Sequence, residues 1–257
     1  SVNNCMDRAK GEYIARMDAD DISLPRRLER QADFLDKNCS VGICGAWIKT
    51  FGPGKNYTDR FPVSPEEIKF KMLIENPLAQ PAIMIRKSMF DKYSLRYIPE
   101  YFPSEDYELW SRAVRHFEAA NIPEVLLNYR IHPENASSTK REKQLKDTDA
   151  IKISQLKFLA EDINEDEAEV FINLVKKNNG SGREFIDTSL SVLLKIKKAN
   201  EKKHIYDDRY IMPFIASCWS YACKTDINYG FKTYRKGINE LNLKKGIIDE
   251  AAQIYKT

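Results

Sequence analysis

The sequence lacks a long uninterrupted apolar run, and this absence excludes one class of protein. Its most apolar stretch, residues 211–223, is shorter than the roughly 20 residues that a membrane-spanning helix needs, and it contains Pro213. The opening residues show neither the basic nor the apolar segment of a secretory signal. Neither a membrane-spanning helix nor a signal peptide is therefore expected.

An excess of one charge is also missing. The chain has 41 basic and 38 acidic residues, a formal net charge of +3, whereas a domain that binds DNA or RNA is usually far more basic. Nucleic acid is therefore not expected as a partner. Basic residues do bunch at 139–143 and 197–203, where we expect solvated helix faces, with a contact to an anionic membrane surface as the alternative.

Cysteines are few and odd in number. The five cysteines stand in a chain too large to need a disulfide scaffold. Cys39 with Cys44, and Cys218 with Cys223, share a C-x4-C spacing that a metal site could also show, but all three histidines are distant from both pairs in sequence. We predict free, buried thiols.

The hydrophobic pattern divides the chain into two parts. Up to about residue 140, strands predicted at 12–17, 41–48, 81–85 and 124–131 alternate with helices predicted to begin at Ser23 and Ser104, which is typical of an α/β layer architecture. The composition changes between Pro133 and Lys146, and beyond residue 145 the periodicity is purely helical. We predict an α/β domain over residues 1–140 and a helical region over 141–257.

Three carboxylates follow the first predicted strand. Asp18, Asp20 and Asp21 lie within four residues, and they repel one another unless a positive charge lies among them. Two of them, spaced D-x-D at the carboxyl end of a strand, can hold one Mg²⁺ or Mn²⁺ ion, which could stabilise a departing diphosphate. Alternatively, Asp20 or Asp21 merely caps the following turn.

The segment Gly11–Leu28, with this acidic cluster at its centre, closely resembles the central segment of family 2 glycosyltransferases of the GT-A fold. Three further blocks follow in the order of that family: 80–87, 104–110 and 128–132. The resemblance spans roughly residues 1–137. It implies a partial GT-A domain, a Rossmann-like α/β/α arrangement, followed by the helical region.

The resemblance also implies a role for individual residues. Asp18 would contact the nucleotide ribose or a metal-bound water, and Asp20 would bind the cation directly. Asp106 would be the base that deprotonates an acceptor hydroxyl. His132 could complete the metal site, and Arg130 could pair with a phosphate or brace Glu105 or Asp106. Trp110 is expected in the core rather than at a sugar-stacking surface. At Gln80 the chain departs from the histidine expected in that block.

The implied reaction is the transfer of a sugar, with inversion, from a nucleotide-diphosphate-sugar to a hydroxyl acceptor in a metal-dependent enzyme. The resemblance implies bacterial surface polysaccharide synthesis on the cytoplasmic side. The acceptor would be a saccharide or lipid-linked saccharide, and the enzyme could make a peripheral contact with the inner face of the membrane. It also implies that an opening strand–helix unit with the base-binding aspartate would precede Ser1. The alternatives are a nucleotidyltransferase and a non-catalytic binding module of the same fold.

Overall fold

A mixed sheet of six strands organises the first part of the chain. In the computed structural model, which describes residues 2–53, 56–132 and 140–254, the strands are β1 Tyr13–Ala15, β2 Ile22–Ser23, β3 Val41–Phe51, β4 Thr58–Asp59, β5 Met84–Arg86 and β6 Glu118–Arg130. The sheet order is β1-β5-β3-β6-β2, with β4 on β3. Strands β3 and β6 run parallel, and the other pairs among the described strands are antiparallel.

Helices cover both faces of this sheet. They are α1 Val2–Arg8, α2 Arg27–Lys37, α3 Pro65–Lys71, α4 Lys87–Lys92 and α5 Glu105–Ala113, with 3-10 turns at Gln80–Ala82 and Pro99–Tyr101. Successive side chains of a strand point to opposite faces, and Met84 and Ile85 accordingly join different apolar clusters. One cluster includes Leu35 of α2, and the other includes Trp110 of α5. The predicted α/β class is confirmed.

Element boundaries differ from the sequence prediction where long-range pairing competes with local signals. The helix expected to begin at Ser23 begins at Arg27, because Ser23 pairs with Leu127 of β6 and the Leu24 N–H donates to the Leu126 carbonyl at 3.0 Å. The strand expected over 81–85 covers only the residues from Met84 to Arg86. Strand β6 is longer than predicted, because it pairs along nearly the whole of β3.

The rest of the described chain is helical, as predicted. Its helices are α6 Arg141–Leu159, α7 Glu165–Lys176, α8 Gly182–Lys203, α9 Asp208–Lys224, α10 Ile227–Glu240 and α11 Lys245–Ile254. Asn164 and Glu167 form a capping box at the start of α7, which satisfies backbone N–H groups that the helix itself cannot. The apolar stripe predicted around Trp219 is buried in α9.

Two compact units are present, Ser1–Ile151 and Lys152–Thr257. Residues 133–139 of the predicted compositional transition lie outside the described residues, and the predicted domain boundary after residue 140 stays a prediction. Across the part of the chain that the structure describes, none of the helices combines the length and the apolar character needed to cross a membrane.

The cysteines are free thiols, but not all are buried. Cys44, Cys218 and Cys223 are buried, whereas Cys5 and Cys39 are exposed, so the prediction of a buried thiol was wrong for Cys39. Burial raises the pKa of the Cys44 thiol to about 12, which keeps it protonated and inert.

Candidate functional site

The acidic cluster lies in the short connection between β1 and β2. The last backbone pair at this end of β1 is the Arg16 N–H with the Ile83 carbonyl, at 2.8 Å, and the Asp21 N–H then turns back to the Asp18 carbonyl, at 3.3 Å. Because the chain leaves the sheet here, the side chains of Asp18 and Asp20 reach solvent, with 36% and 42% of their area exposed. Both carboxylates are therefore accessible to a ligand.

Asp21 has a different environment from its two neighbours. Its side chain is buried, and one carboxylate oxygen accepts a hydrogen bond from the Arg130 backbone N–H at 2.8 Å. The other oxygen is buried and has no hydrogen-bond partner among the described residues. Burial, together with the negative charges of Asp20 and Asp18, raises the pKa of Asp21 to about 6, while the hydrogen bond from the Arg130 backbone opposes the rise. The three carboxylates thus concentrate negative potential in one loop.

The end of β6 holds this loop from the other side. The Arg130 Nε donates to the Asp20 carbonyl at 2.8 Å, and the Arg130 guanidinium lies over the Phe51 ring at 4.4 Å. His132 follows the strand, with its Nε2 3.0 Å from an Asp20 carboxylate oxygen. The structure therefore brings together Asp20, Arg130 and His132, each of which the sequence analysis named as a candidate site residue.

The donor chemistry of the loop fits a hard divalent cation, although the three predicted ligands do not form a preassembled cage. Asp18 is paired with the Arg16 guanidinium at 2.8 Å. Within the described ranges, no group of three or more His, Cys, Asp or Glu side chains is arranged to hold a metal ion. Mg²⁺ sites often use only one or two protein carboxylates together with substrate phosphates, which the accessible oxygens of Asp18 and Asp20 could supply.

Asp106 lies in the first turn of α5. A carboxylate oxygen accepts a hydrogen bond from the Asn76 side-chain amide at 2.8 Å, and backbone N–H groups of the same turn also face it. Burial raises the pKa of Asp106 to about 7, with a further contribution from the Glu105 carboxylate, while the hydrogen bonds oppose the rise. A carboxylate with a pKa near neutral pH suits general base catalysis.

Tyr97 packs against helix α5, which carries Asp106. Its ring is buried and packs edge-on against Trp110 with the ring centroids 5.9 Å apart. Burial raises the pKa of the Tyr97 hydroxyl, and the charges of Asp106 and Arg16 both act on it. Arg16, the partner of Asp18, and Asp106 therefore lie near one hydroxyl group. Trp110 is buried in the core, as predicted.

A buried polar network fixes the end of β1, and the sequence reasoning missed it. The Arg27 Nη2 donates to the Arg16 carbonyl at 2.5 Å, and the Arg27 Nε donates to Gln31 at 3.0 Å. The Gln31 amide in turn donates to the carbonyls of Cys44 and Ala82, both at 2.8 Å. Arg27 and Gln31 are four residues apart on one face of α2, and this spacing can be read from the sequence. Exposed polar residues on surface helices have the same spacing, so it does not by itself indicate a buried network.

Comparison with known proteins adds independent information. Residues 1–94 match the family described as glycosyl transferase family 2. An uncharacterized glycosyltransferase of Haemophilus influenzae is 26% identical over 266 residues, covering 95% of this chain and 76% of the relative. The O-antigen biosynthesis glycosyltransferase WbnJ of Escherichia coli is 33% identical over 137 residues, covering 51% of this chain and 52% of the relative.

The amylovoran biosynthesis glycosyltransferase AmsE of Erwinia amylovora is 32% identical over 133 residues, covering 51% of this chain and 49% of the relative. Several of these curated relatives are therefore matched over about half of their length. Among solved structures, Staphylococcus aureus TarS in complex with UDP-GlcNAc aligns with 14% identity and a TM-score of 0.49, covering 91% of this chain and 71% of that one. The segment that is similar to glycosyl transferase family 2, residues 1–94, contains the acidic loop.

Proposed function

We propose that the protein transfers a sugar, with inversion, from a nucleotide-diphosphate-sugar to a hydroxyl group of a saccharide or lipid-linked saccharide. The observation that carries this proposal is that the candidate site residues include carboxylates in two different environments. Asp18 and Asp20 are accessible on the loop after β1, whereas burial at the start of α5 raises the pKa of Asp106 to about 7. One exposed pair of carboxylates and one buried carboxylate suit separate roles in one reaction.

In this proposal Asp106 is the catalytic base. An acceptor hydroxyl is a poor nucleophile until a base removes its proton as the bond to the anomeric carbon forms. Asp106 takes that proton, and the hydrogen bond from Asn76 keeps the carboxylate oriented. One displacement at the anomeric carbon inverts its configuration, and the sugar–phosphate bond breaks as the new bond forms.

The acidic loop would hold the departing diphosphate through a divalent cation. Asp18 and Asp20 would be its protein ligands, and His132, which is 3.0 Å from Asp20, would orient that carboxylate or join the ligand set. A bound Mg²⁺ or Mn²⁺ would supply positive charge where negative charge develops on the diphosphate. Arg130, held over Phe51, would fix the loop or contact a phosphate.

The names of two relatives suggest the biological setting. WbnJ is named for O-antigen biosynthesis and AmsE for amylovoran biosynthesis, so we propose that this protein also takes part in polysaccharide synthesis. A cytoplasmic setting, with a peripheral contact to the inner face of the membrane, belongs to the same proposal. Sedimentation of the protein with vesicles of anionic lipid would detect that contact.

The function is tested by incubating the full-length protein with Mn²⁺, a panel of nucleotide-sugars and saccharide acceptors. Release of nucleoside diphosphate together with a glycosylated product is expected, and a donor of α configuration should give a β-linked product. Asp106→Asn should lose this activity, whereas Asp33→Asn, an exposed aspartate of α2, serves as the matched control. Release of pyrophosphate instead would indicate a nucleotidyltransferase, and absence of turnover with retained ligand binding would indicate a binding module.

A further inference from the structure

The chain at the start of α6 contacts the segment that leads into the helix of Asp106. The Lys143 Nζ donates to the Glu100 carbonyl at 2.6 Å, and the Lys140 ammonium lies over the Phe102 ring, 4.4 Å from its centroid. All of these residues belong to the same compact unit as Asp106. Two neighbouring lysines therefore bind both the backbone and an aromatic ring of this segment.

Ser104 occupies the N-cap position of α5 but does not cap the helix. Its φ of −111° and ψ of 16° lie outside the extended region that N-cap residues usually adopt, and its side chain makes no capping hydrogen bond to the described residues of α5. The buried hydroxyl instead donates to the Gln144 carbonyl of α6 at 3.4 Å. The side chain at the cap position is therefore bound to α6.

The N–H groups that a cap would ordinarily receive are left for the Asp106 carboxylate. An N-cap side chain accepts from the second or third residue of its helix, which here are Asp106 and Tyr107. Burial raises the pKa of Asp106, and hydrogen bonds from these two backbone N–H groups to its carboxylate oppose the rise. The first turn of α5 thus favours the ionised carboxylate only while its N–H groups stay directed at Asp106.

The support that α6 provides is fixed by the core of the same unit. Ile151, further along α6, is 2% exposed and belongs to the apolar cluster that also contains Tyr107 and Trp110 of α5. Close-packed interiors have low compressibility. A hydrogen bond to the start of α6 therefore holds its partner against a support that the core keeps in place.

We propose that Ser104 and Lys143 are positioning residues for the base: they bind residues 100–104 to α6 and so keep the first turn of α5 directed at the Asp106 carboxylate. This inference rests on the proposed function, in which Asp106 is the base. Lys143 holds the backbone before the turn, and Ser104 holds the first residue of the turn itself. Both act through Asp106 and not on the substrate.

The variants separate these contacts from general effects on α6. Lys143→Met removes the ammonium, and Lys143→Arg restores an N–H donor. Lys146→Met is the matched control, because it makes the same change on the same helix at a side chain that is 75% exposed and pairs with Glu142. Ser104→Ala removes the hydroxyl, and Ser104→Thr keeps it. Thermal unfolding checks that each variant is folded. If Ser104→Ala does not fold, the Lys143 variants decide alone, because 46% of that side chain is exposed.

The first readout is steady-state kinetics of the full-length protein, with the donor and acceptor that the panel of nucleotide-sugars identifies. Lys143→Met and Ser104→Ala should each lower kcat by roughly 3- to 10-fold, the size of one neutral hydrogen bond. The KM of the nucleotide-sugar should stay unchanged, because the acidic loop is not altered. Lys143→Arg should recover most of the loss, and Lys146→Met should behave as wild type. Lys143 also pairs with Asp147, and Asp147→Asn, which leaves the bond to the Glu100 carbonyl, should keep its turnover.

The second readout does not need substrate. It is a pH titration of the Asp106 carboxyl by ¹³C NMR of aspartate-labelled protein, with the signal assigned through Asp106→Asn. The midpoint should move to higher pH by roughly 0.5–1 unit in Lys143→Met and Ser104→Ala, because the ionised form loses hydrogen bonds. The carboxylate of Glu105 and the hydroxyl of Tyr97, the titratable groups that interact with Asp106, are unchanged in both variants.

Failure of this inference is distinct from failure of the proposed function. If the wild type transfers sugar while Lys143→Met and Ser104→Ala keep its kcat, or lose kcat with the Asp106 midpoint unchanged, the contacts with α6 do not act on the base and the inference is wrong. If the wild type transfers no sugar although the midpoint moves in both variants, the contacts position the carboxylate as inferred and only the proposed function is wrong.

Discussion

Replacing Asp106 with asparagine should remove activity and, at neutral pH and above, stabilise the protein. Asparagine keeps the shape of the side chain and an oxygen that can accept the hydrogen bond from Asn76, but it has no negative charge. Turnover should fall by a factor on the order of 10²–10⁴, the usual contribution of a general base. Stability should rise, because burial disfavours the charged carboxylate.

The sign and size of the stability change follow from the pKa. The folded state raises the pKa of Asp106 from its ordinary 3.8 to about 7, so the folded state binds more protons than the unfolded chain between these values. Wild-type stability from this group is therefore present below pH 3.8 and is lost as the pH rises towards 7. At about 1.4 kcal/mol per pH unit, this pKa difference limits the gain in free energy of unfolding to about 4 kcal/mol. Because Asp106 is partly in contact with solvent, we expect Asp106→Asn to gain about 1–2 kcal/mol.

Chemical denaturation of wild type and Asp106→Asn at a series of pH values measures this difference. The two proteins should have nearly equal stability near pH 4, and the variant should become the more stable one as the pH approaches 8. Asp33→Asn, at an exposed position of α2, should show no such pH-dependent gain. A constant difference between pH 4 and 8, or a variant that is less stable at pH 8, would refute the claim that burial raises the pKa of Asp106.

Three further predictions concern the same unit. Asp20→Asn should abolish transfer while leaving thermal stability nearly unchanged, because 42% of the Asp20 side-chain area is exposed and asparagine has the same shape. Asn76→Ala should move the rising limb of the pH–rate profile to higher pH, because its hydrogen bond favours the ionised form of Asp106. Gly45→Ala should destabilise the fold by about 2–4 kcal/mol, since its Cβ would lie 2.0 Å from the buried Asn121 Oδ1.

Each of these three predictions has a measurable outcome that would contradict it. Transfer that survives both Asp20→Asn and EDTA would end the metal-dependent interpretation. A pH profile of Asn76→Ala that matches the wild type would show that the hydrogen bond does not act on the ionised base. For the glycine, Gly246→Ala is the matched control, because a Cβ there meets nothing within 4 Å. Equal stability of the two alanine variants would contradict the packing argument.

How far the sequence predicts this molecule depends on how local each signal is. The helices from α6 onward are set by apolar periodicity and caps within a few residues, and these were found correctly. The start of α2 was misplaced, because Ser23 is a good helix cap but pairs with Leu127, more than 100 residues away. Such pairing leaves no mark in the sequence near Ser23.

In the candidate site, too, residues in local motifs could be predicted, whereas residues brought in by the fold could not. Asp18, Asp20 and Asp106 were predicted as site residues from short motifs, and the link of Arg130 and His132 to Asp20 follows from the end of β6 lying beside the acidic loop. Tyr97 and Asn76 were not identified. Neither belongs to a motif, and each becomes relevant only because the fold brings it close to Asp106. Long-range proximity of this kind cannot be inferred from one sequence.

The buried arginine of α2 explains why an exposed acidic loop can still have a defined position. Arg27 is almost fully buried, and burial lowers the pKa of its guanidinium to about 10, with Asp21 acting in the opposite direction. Burying a cation is costly unless hydrogen bonds satisfy it, and here the carbonyls of Arg16 and Ile83 do so at 2.5 and 3.2 Å. Those two carbonyls mark the point where β1 leaves the sheet. These hydrogen bonds offset the cost of burying the Arg27 charge, and they also hold the backbone immediately before Asp18. The first residues of the acidic loop therefore have a defined position, while its carboxylates remain accessible to a ligand.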